Sequence, residues 1–316
     1  MQKRSLGKSH LEIVPLVLGG NVFGWTADDA TSFRILDAFV DAGFDAVDTA
    51  NMYSAWVPGH KGGESETVIG KWFAQGGKRE KVKLFTKVGN PMGDGSKGLK
   101  KEYILQQVED SLKRLQTDHI DLYQSHMDDD TTPLDETLEA YQILIGQGKV
   151  GAIGASNYGG ARLAEALEVS NAKNLPAYIS LQPEYNLYDR AKYESDLAPV
   201  LSKYGIGSIV YWPLASGFLT GKYKTKADAA GAKREGMVGK YFDDRGLKIL
   251  KALAEVSEET GAAQATVTLA WTLAQPTVTA PIASVSKPEQ LDALLASVSL
   301  KLSEEQVKKL TDASAY

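Results

Sequence analysis

The sequence predicts an α/β fold, a (β/α)8 TIM barrel formed as one domain over residues 1–316. Three observations carry that expectation. Eight short β-rich runs alternate with stretches whose apolar residues recur at intervals of three and four, as on an amphipathic helix. Strict β/α alternation gives a parallel sheet, and eight units favour closure into a barrel over an open, doubly wound sheet. No cluster of Pro, Gly and Ser marks a domain linker, and 316 residues suffice for one large core.

In order, the runs are 14–19 (V-P-L-V-L-G), 44–48 (F-D-A-V-D), 83–88 (K-L-F-T-K-V) and 120–125 (I-D-L-Y-Q-S), then 151–155 (G-A-I-G-A), 179–182 (I-S-L-Q), 208–211 (S-I-V-Y) and 280–283 (A-P-I-A). The helical pattern is clearest at 103–115 (Y-I-L-Q-Q-V-E-D-S-L-K-R-L). After the seventh run, 222–239 is rich in Gly, Ala and Lys and is expected to be a long, mobile excursion. Two patterns are decoys. G-D-G-S-K-G at 93–98 satisfies G-x-G-x-x-G, but it lies well past its strand, behind Asn90 and Pro91, and reads as a flexible rim loop. Asp128, Asp129 and Asp130 could suggest a hard-metal site, yet Thr132 and Pro133 follow, so the run reads as the lead-in to a capped helix and no metal is expected.

Composition narrows the function classes. A net charge of -5 without a Lys/Arg block argues against nucleic acid as a partner and points to a small molecule. The chain has no cysteine, which removes disulfides, thiolate nucleophiles and zinc-thiolate sites. The N-terminal residues lack the apolar run of a signal peptide, and no stretch has the length of a transmembrane helix, so a cytoplasmic protein with no membrane partner is expected. One sequence leaves the oligomeric state open.

Four residues of the types needed to reduce a carbonyl, Asp48, Tyr53, Lys87 and His126, stand at or just past the ends of the second, third and fourth runs. In a (β/α)8 barrel those ends share one mouth. An acid beside a lysine keeps the ammonium charged, and that ammonium favours the phenolate of a nearby tyrosine, so a depressed Tyr53 pKa is expected of a proton shuttle. His126 would hydrogen-bond and orient the carbonyl oxygen. Singly, each residue also fits a structural role: Asp48 and Lys87 as an ion pair, Tyr53 as a rim aromatic, and His126 as a satisfied histidine. Their joint order on one mouth favours chemistry.

The four settings resemble the aldo-keto reductases, whose catalytic tetrad is Asp, Tyr, Lys and His. G-F-D-A-V-D-T-A-N-M-Y-S, G-G-E-S-E-T-V-I-G, L-F-T-K-V and H-I-D-L-Y-Q-S-H match that family's pattern in order and spacing. The likeness runs on through I-G-A-S-N, S-L-Q-P-E-Y-N-L, Y-W-P-L-A-S-G-F-L-T-G-K-Y and S-V-S-K-P-E-Q-L, nearly the whole chain. It implies a nicotinamide cofactor across the barrel mouth. By the family's pattern Ser156, Asn157 and Gln182 hydrogen-bond the carboxamide and Tyr211 stacks on the ring; Ser156 and Asn157 equally suit a strand-to-helix cap, and both roles can coexist. Gly20 and Asn21 join the cofactor set. Trp212, Pro213, Leu214, Ala215, Ser216, Gly217 and Lys222 match the pyrophosphate loop. Ser284, Ser286 and Gln290 match the adenosine end, where Pro288 suits the first turn of an eighth helix. Lys287 and Arg234 are candidate cations for a 2′-phosphate, which makes NADPH the expected cofactor, with NADH possible; both also read as solvated surface charges. One departure is that Ala293 and Leu294 occupy the place of the family's usual adenosine-holding Glu and Asn, which implies a weaker grip or less distinction between NADP and NAD.

The resemblance therefore implies hydride transfer from nicotinamide C4 to a carbonyl carbon, with the proton from Tyr53. Phe23, Trp25, Trp56 and Val57 are candidates for an apolar substrate wall, suiting an aryl aldehyde, a ketone or a sugar ring about equally. Two other classes remain open. Some proteins resembling this fold serve as cofactor-binding subunits of potassium channels. A lysine Schiff base at Lys87 would need a depressed ammonium, which Asp48 opposes.

Overall fold

A computed structural model describes residues 1–229 and 235–316. Its eight barrel strands are β3 (Val17–Gly19), β4 (Ala46–Asp48), β5 (Lys83–Val88), β6 (Ile120–Ser125), β7 (Val150–Ser156), β8 (Ser180–Gln182), β9 (Gly207–Val210) and β10 (Val278–Ala283). All neighbours pair in parallel, and β10 returns to β3 through Ile282 opposite Val17 to close the barrel. Every strand read from the sequence is present, with ends moved by a few residues. The strands before it, β1 (Arg4–Ser5) and β2 (Glu12–Ile13), form an antiparallel hairpin that the sequence pattern does not announce. Each is two residues long, too short for alternation to register.

The hairpin plugs the N-terminal end of the barrel. Leu6 and Ile13 join Val17, Ala46, Phe85, Leu122, Ile209, Ala280 and Ile282 in the inner core. Gly7, at φ +58°, allows the hairpin to close: a Cβ there would lie 2.7 Å from the carbonyl oxygens of Gly205 and Ile179.

A second apolar layer lies between the sheet and its helices. Helices α1 (Asp29–Asp41), α2 (Glu64–Phe73), α3 (Lys101–Leu115), α4 (Leu134–Gly146) and α5 (Gly160–Lys173) each follow one strand, from β3 to β7. Helix α3 buries Ile104, Val108, Ser111, Leu112 and Leu115, which is the three-four spacing of its sequence. Helix α6 (Ala198–Tyr204) continues a π-helical turn, Tyr193–Leu197. After β9 come α7 (Glu235–Val238), α8 (Asp244–Thr260) and α9 (Gln264–Leu273); after β10 come α10 (Leu291–Leu295) and α11 (Glu304–Ala313). No helix among the described residues is long and apolar enough to cross a membrane.

The described parts of the 222–239 excursion include helical turns at Lys226–Ala229 and α7, and Val238 is buried in the core. Two local expectations need correction. The acidic run before α4 does not cap it, because Pro133 holds the N-cap without a side-chain hydrogen bond. Asp129 instead accepts from the Leu99 and Thr131 amides and from the hydroxyls of Thr131 and Thr132, and these bonds lower its carboxyl to about 2 against the cost of burial. Pro288 opens a 3-10 turn rather than a full eighth helix, and α10 has only five residues.

Candidate active site

Asp48 closes β4, and Lys87 lies on the adjacent β5, so their side chains meet at the C-terminal mouth. Both are wholly buried, and the Lys87 ammonium donates to Asp48 Oδ2 at 2.5 Å, to the Thr49 carbonyl at 2.8 Å and to Tyr53 Oη at 2.8 Å. All three of its protons are committed, which leaves no free lone pair for a Schiff base. Tyr53 stands in the loop after β4, with its hydroxyl 3.4 Å from Asp48 Oδ2. His126, the residue after β6, donates its backbone N–H to Val88 and places its ring 5.9 Å from that of Tyr53. Its Nδ1 is buried without a partner. The four sequence candidates therefore converge.

Two residues join them that the sequence reading did not place there. Gln124 on β6 and Gln182 on β8 donate their amides to Asp48 Oδ1, at 3.2 and 3.0 Å, and Gln182 also donates to Gln124 Oε1 at 3.2 Å. The signal was available for Gln124. In I-D-L-Y-Q-S-H, Leu122, Gln124 and His126 share the inward parity of the strand.

The expected depression of Tyr53 is not found. Burial, followed by the Asp48 carboxylate, pushes its hydroxyl well above the usual tyrosine range. Asp48 and Lys87 form a pair with no net charge, so the ammonium beside the phenol is offset and burial decides. Burial likewise pulls the Lys87 ammonium down, against the upward pull of Asp48 and Glu66. It also drives His126 well below its ordinary value, with the Lys87 charge adding to the effect. At neutral pH the site presents a protonated phenol beside a neutral imidazole. That is the state a proton donor to a carbonyl requires.

A buried Asp-Lys pair bonded to Tyr53 stands beside a neutral histidine at the mouth of a closed eight-stranded barrel, and the chain matches the model of the Aldo/keto reductase family over residues 15–315. The chain belongs to the aldo/keto reductase family. It is 39% identical to an uncharacterized oxidoreductase, YrpG, of Bacillus subtilis over 99% of this chain and 95% of that protein. It is 31% identical to the L-glyceraldehyde 3-phosphate reductase of Escherichia coli O157:H7, over 92% and 86%. A probable voltage-gated potassium channel subunit beta of Oryza sativa subsp. japonica is 33% identical over 92% and 89%. The chain is thus an NAD(P)H-dependent oxidoreductase acting between carbonyl and alcohol.

The mouth of this aldo/keto reductase fits a nicotinamide nucleotide. Past β9, Trp212, Ala215 and Ser216 hold left-handed backbone at φ 53°, 46° and 58°, followed by Gly217 at 96°. Strained non-glycine residues gathered in one loop are a mark of functional sites, and such curvature turns amides toward an anion. The Lys222 amine lies against Gly217, where an added Cβ would be 3.1 Å from Nζ. Pro213 and Ala215 are buried supports, with Leu214 partly buried beside them.

Asn157, at φ 61°, donates to the His126 carbonyl and to Ser156 Oγ, and accepts from the Tyr211 hydroxyl at 2.8 Å. Ser156 Oγ donates to the Gln182 carbonyl. Ser156, Asn157 and Tyr211 are therefore brought together, whereas the Gln182 amide is turned onto Asp48. Gly20 donates its amide to the Asp48 carbonyl and receives the Ser65 hydroxyl on its own. Asn21 Oδ1 accepts from Ser284 Oγ at 2.5 Å across the β3–β10 seam. Gln290 accepts from the Ser286 amide, and Lys287 is exposed. Arg234 lies outside the described residues. Leu294 is buried in the core, and the Ala293 carbonyl accepts from Thr266, so neither side chain offers a polar group to adenosine.

Of the substrate wall, Trp25 and Trp56 are 37% and 45% exposed and meet edge to face at 5.6 Å. Trp56 lies 6.0 Å from the Tyr53 ring, and Val57 is partly buried beside it. Phe23 corrects the expectation. It is fully buried under Gly20 and presents no surface to the mouth.

Proposed function

We propose that the chain reduces an aldehyde or ketone to the alcohol with NADPH as preferred cofactor and Tyr53 as proton donor. The observation that carries this reading is the 2.8 Å hydrogen bond from the buried Lys87 ammonium to Tyr53 Oη. Reduced nicotinamide, when bound, supplies the hydride. Ser156, Asn157 and Tyr211 would hold its ring, the Trp212–Gly217 loop and Lys222 its pyrophosphate, and Lys287 its 2′-phosphate. Tyr53 delivers its proton to the carbonyl oxygen as negative charge grows there, and Lys87 stabilises the charge left on Oη. Asp48 holds that ammonium in place. The neutral His126 ring offers an N–H to the same oxygen without adding a competing charge, which strengthens binding in the transition state more than in the ground state.

The exposed Trp25–Trp56 pair beside Tyr53 supports a substrate with a flat apolar face, an aryl aldehyde or a sugar ring. Titration with NADPH and NADH, followed by quenching of the five tryptophans, then addition of an aryl and a sugar aldehyde, tests the reading. The expected result is tighter NADPH binding with carbonyl-dependent loss of reduced-nicotinamide absorbance. Failure of both nucleotides to bind would overturn it.

A further inference from the structure

We propose that Gln124 is a positioning residue of the proton relay, which fixes Asp48 so that Oδ2 faces Lys87. The proposal deepens the reduction reading and rests on it. Asp48 Oδ2 receives Lys87 and Tyr53, while among the described residues Oδ1 receives Gln124 and Gln182. A buried carboxylate whose second oxygen is unfilled is free to rotate or to trade partners, and both displace the ammonium that contacts Tyr53.

The two amides are not equivalent. Gln182 sits beside Ser156 and Asn157 in the group that would hold the nicotinamide, so nucleotide can compete for its amide. Gln124 is fully buried, and its place is built for it. It lies opposite Lys87 in the β5–β6 register and opposite Gly154 in the β6–β7 register. A Cβ on Gly154 would come within 2.6 Å of Ser180 Oγ and 3.1 Å of Gln124 Cγ, so the glycine leaves room for both side chains. Should Gln182 turn to a bound carboxamide, Gln124 would remain as the donor that keeps Asp48 oriented.

The test uses Gln124→Met, which removes the donor at similar volume, and Gln124→Glu, which makes it depend on protonation. Asp48, Lys87, Tyr53 and His126 are the titratable groups of the relay, with Glu66 acting on Lys87 from α2 and Tyr211 acting on Tyr53 from beyond β9. A protonated carboxyl at position 124 can donate to Oδ1, whereas an ionised one repels it, and a second acid there holds its proton to higher pH. Gln124→Met should lower kcat about tenfold, with carbonyl KM and NADPH affinity within about twofold of the parent. Gln124→Glu should approach the parent at pH 6 and fall at least about tenfold behind it by pH 9. Its unliganded melting temperature should fall over the same interval relative to the parent, since a raised folded-state pKa loses its stabilisation as pH rises.

If Gln124→Met does not fold, the pH dependence of Gln124→Glu decides. Parental kcat in the first variant, or a parental pH profile in the second, overturns the proposal. Tyr53→Phe run alongside separates the failures: if it is inactive while both Gln124 variants are parental, only the role of Gln124 is lost. If the parent shows no carbonyl-dependent turnover, the reduction reading falls and this proposal with it.

Discussion

In the proposed reduction, Tyr53 has to hold a proton firmly enough to be charged with it at neutral pH, yet release it to an alkoxide. Burial and Asp48 meet the first requirement, and the Lys87 ammonium, 2.8 Å from Oη, meets the second only once charge moves onto the oxygen. This is preorganisation: the cation exerts its effect in the transition state without having to move. Sequence placed all four groups, because each sits at a strand exit, but it could not give the sign of the Tyr53 shift. That sign depends on how well an ion pair cancels itself in three dimensions. His126 yields a prediction for the same reason. Its folded pKa is depressed below the unfolded value of about 6.5, so the unfolded chain takes up a proton that the native site refuses. The resulting stability is full above that pH and lost as pH falls through the folded value. Melting temperature should therefore decline below about pH 6.5, and His126→Asn should flatten the decline in calorimetry, unless the ring charges freely in the native state.

Strand β6 shows how one element serves two sides. Leu122, Gln124 and His126 face the barrel axis, while Tyr123 and Ser125 face the helices. On that outer face Ser125 Oγ bonds both Tyr141 Oη and Tyr178 Oη at 2.8 Å. Those rings pack edge to face at 6.3 Å and tie α4 to the approach of β8. Ser125→Ala leaves the buried Tyr141 phenol without a partner and Tyr178 with only its longer contact to Tyr158 Oη, which should cost about 2 kcal/mol in urea unfolding with the slope unchanged. Activity per folded molecule should persist, since none of these groups reaches the mouth. A larger loss of kcat than of stability would show that the outer face steers His126. The two-sided pattern was legible in I-D-L-Y-Q-S-H. The hairpin β1–β2 was not, because its identity comes from what it plugs, namely the ends of β8 and β9 near Gly7.

Over the whole molecule, closure of the sheet joins residues far apart in sequence: Asp48 and Gln182 meet across 134 positions, Asn21 and Ser284 across 263. Strand count and order predicted that closure, whereas Phe23 shows the limit of placing a residue by its distance from a strand end. Burial also has a global titration signature. Of 14 tyrosines, Tyr53, Tyr123 and Tyr141 are pushed well above their ordinary value, chiefly by burial, and Tyr178 and Tyr193 are raised for the same cause. Tyr211 at the mouth is raised to about 12. Raised folded-state values give stability that is complete below the unfolded pKa of about 10 and lost as pH climbs past it. Melting temperature should drop above about pH 10, with phenolate absorbance of the buried rings of Tyr123, Tyr141, Tyr178 and Tyr193 appearing together with unfolding. Full ionisation while the fold persists would mean that these rings are open to water.

The proposed reduction turns on a single hydroxyl, that of Tyr53. Steady-state carbonyl reduction by Tyr53→Phe, beside the parent and at saturating NADPH, tests it most directly, because the substitution removes one oxygen and leaves the ring against Trp56. A fall in kcat of about 10²- to 10⁴-fold with NADPH affinity unchanged is the predicted result. Turnover within a few fold of the parent would contradict the assignment of Tyr53 as the proton donor.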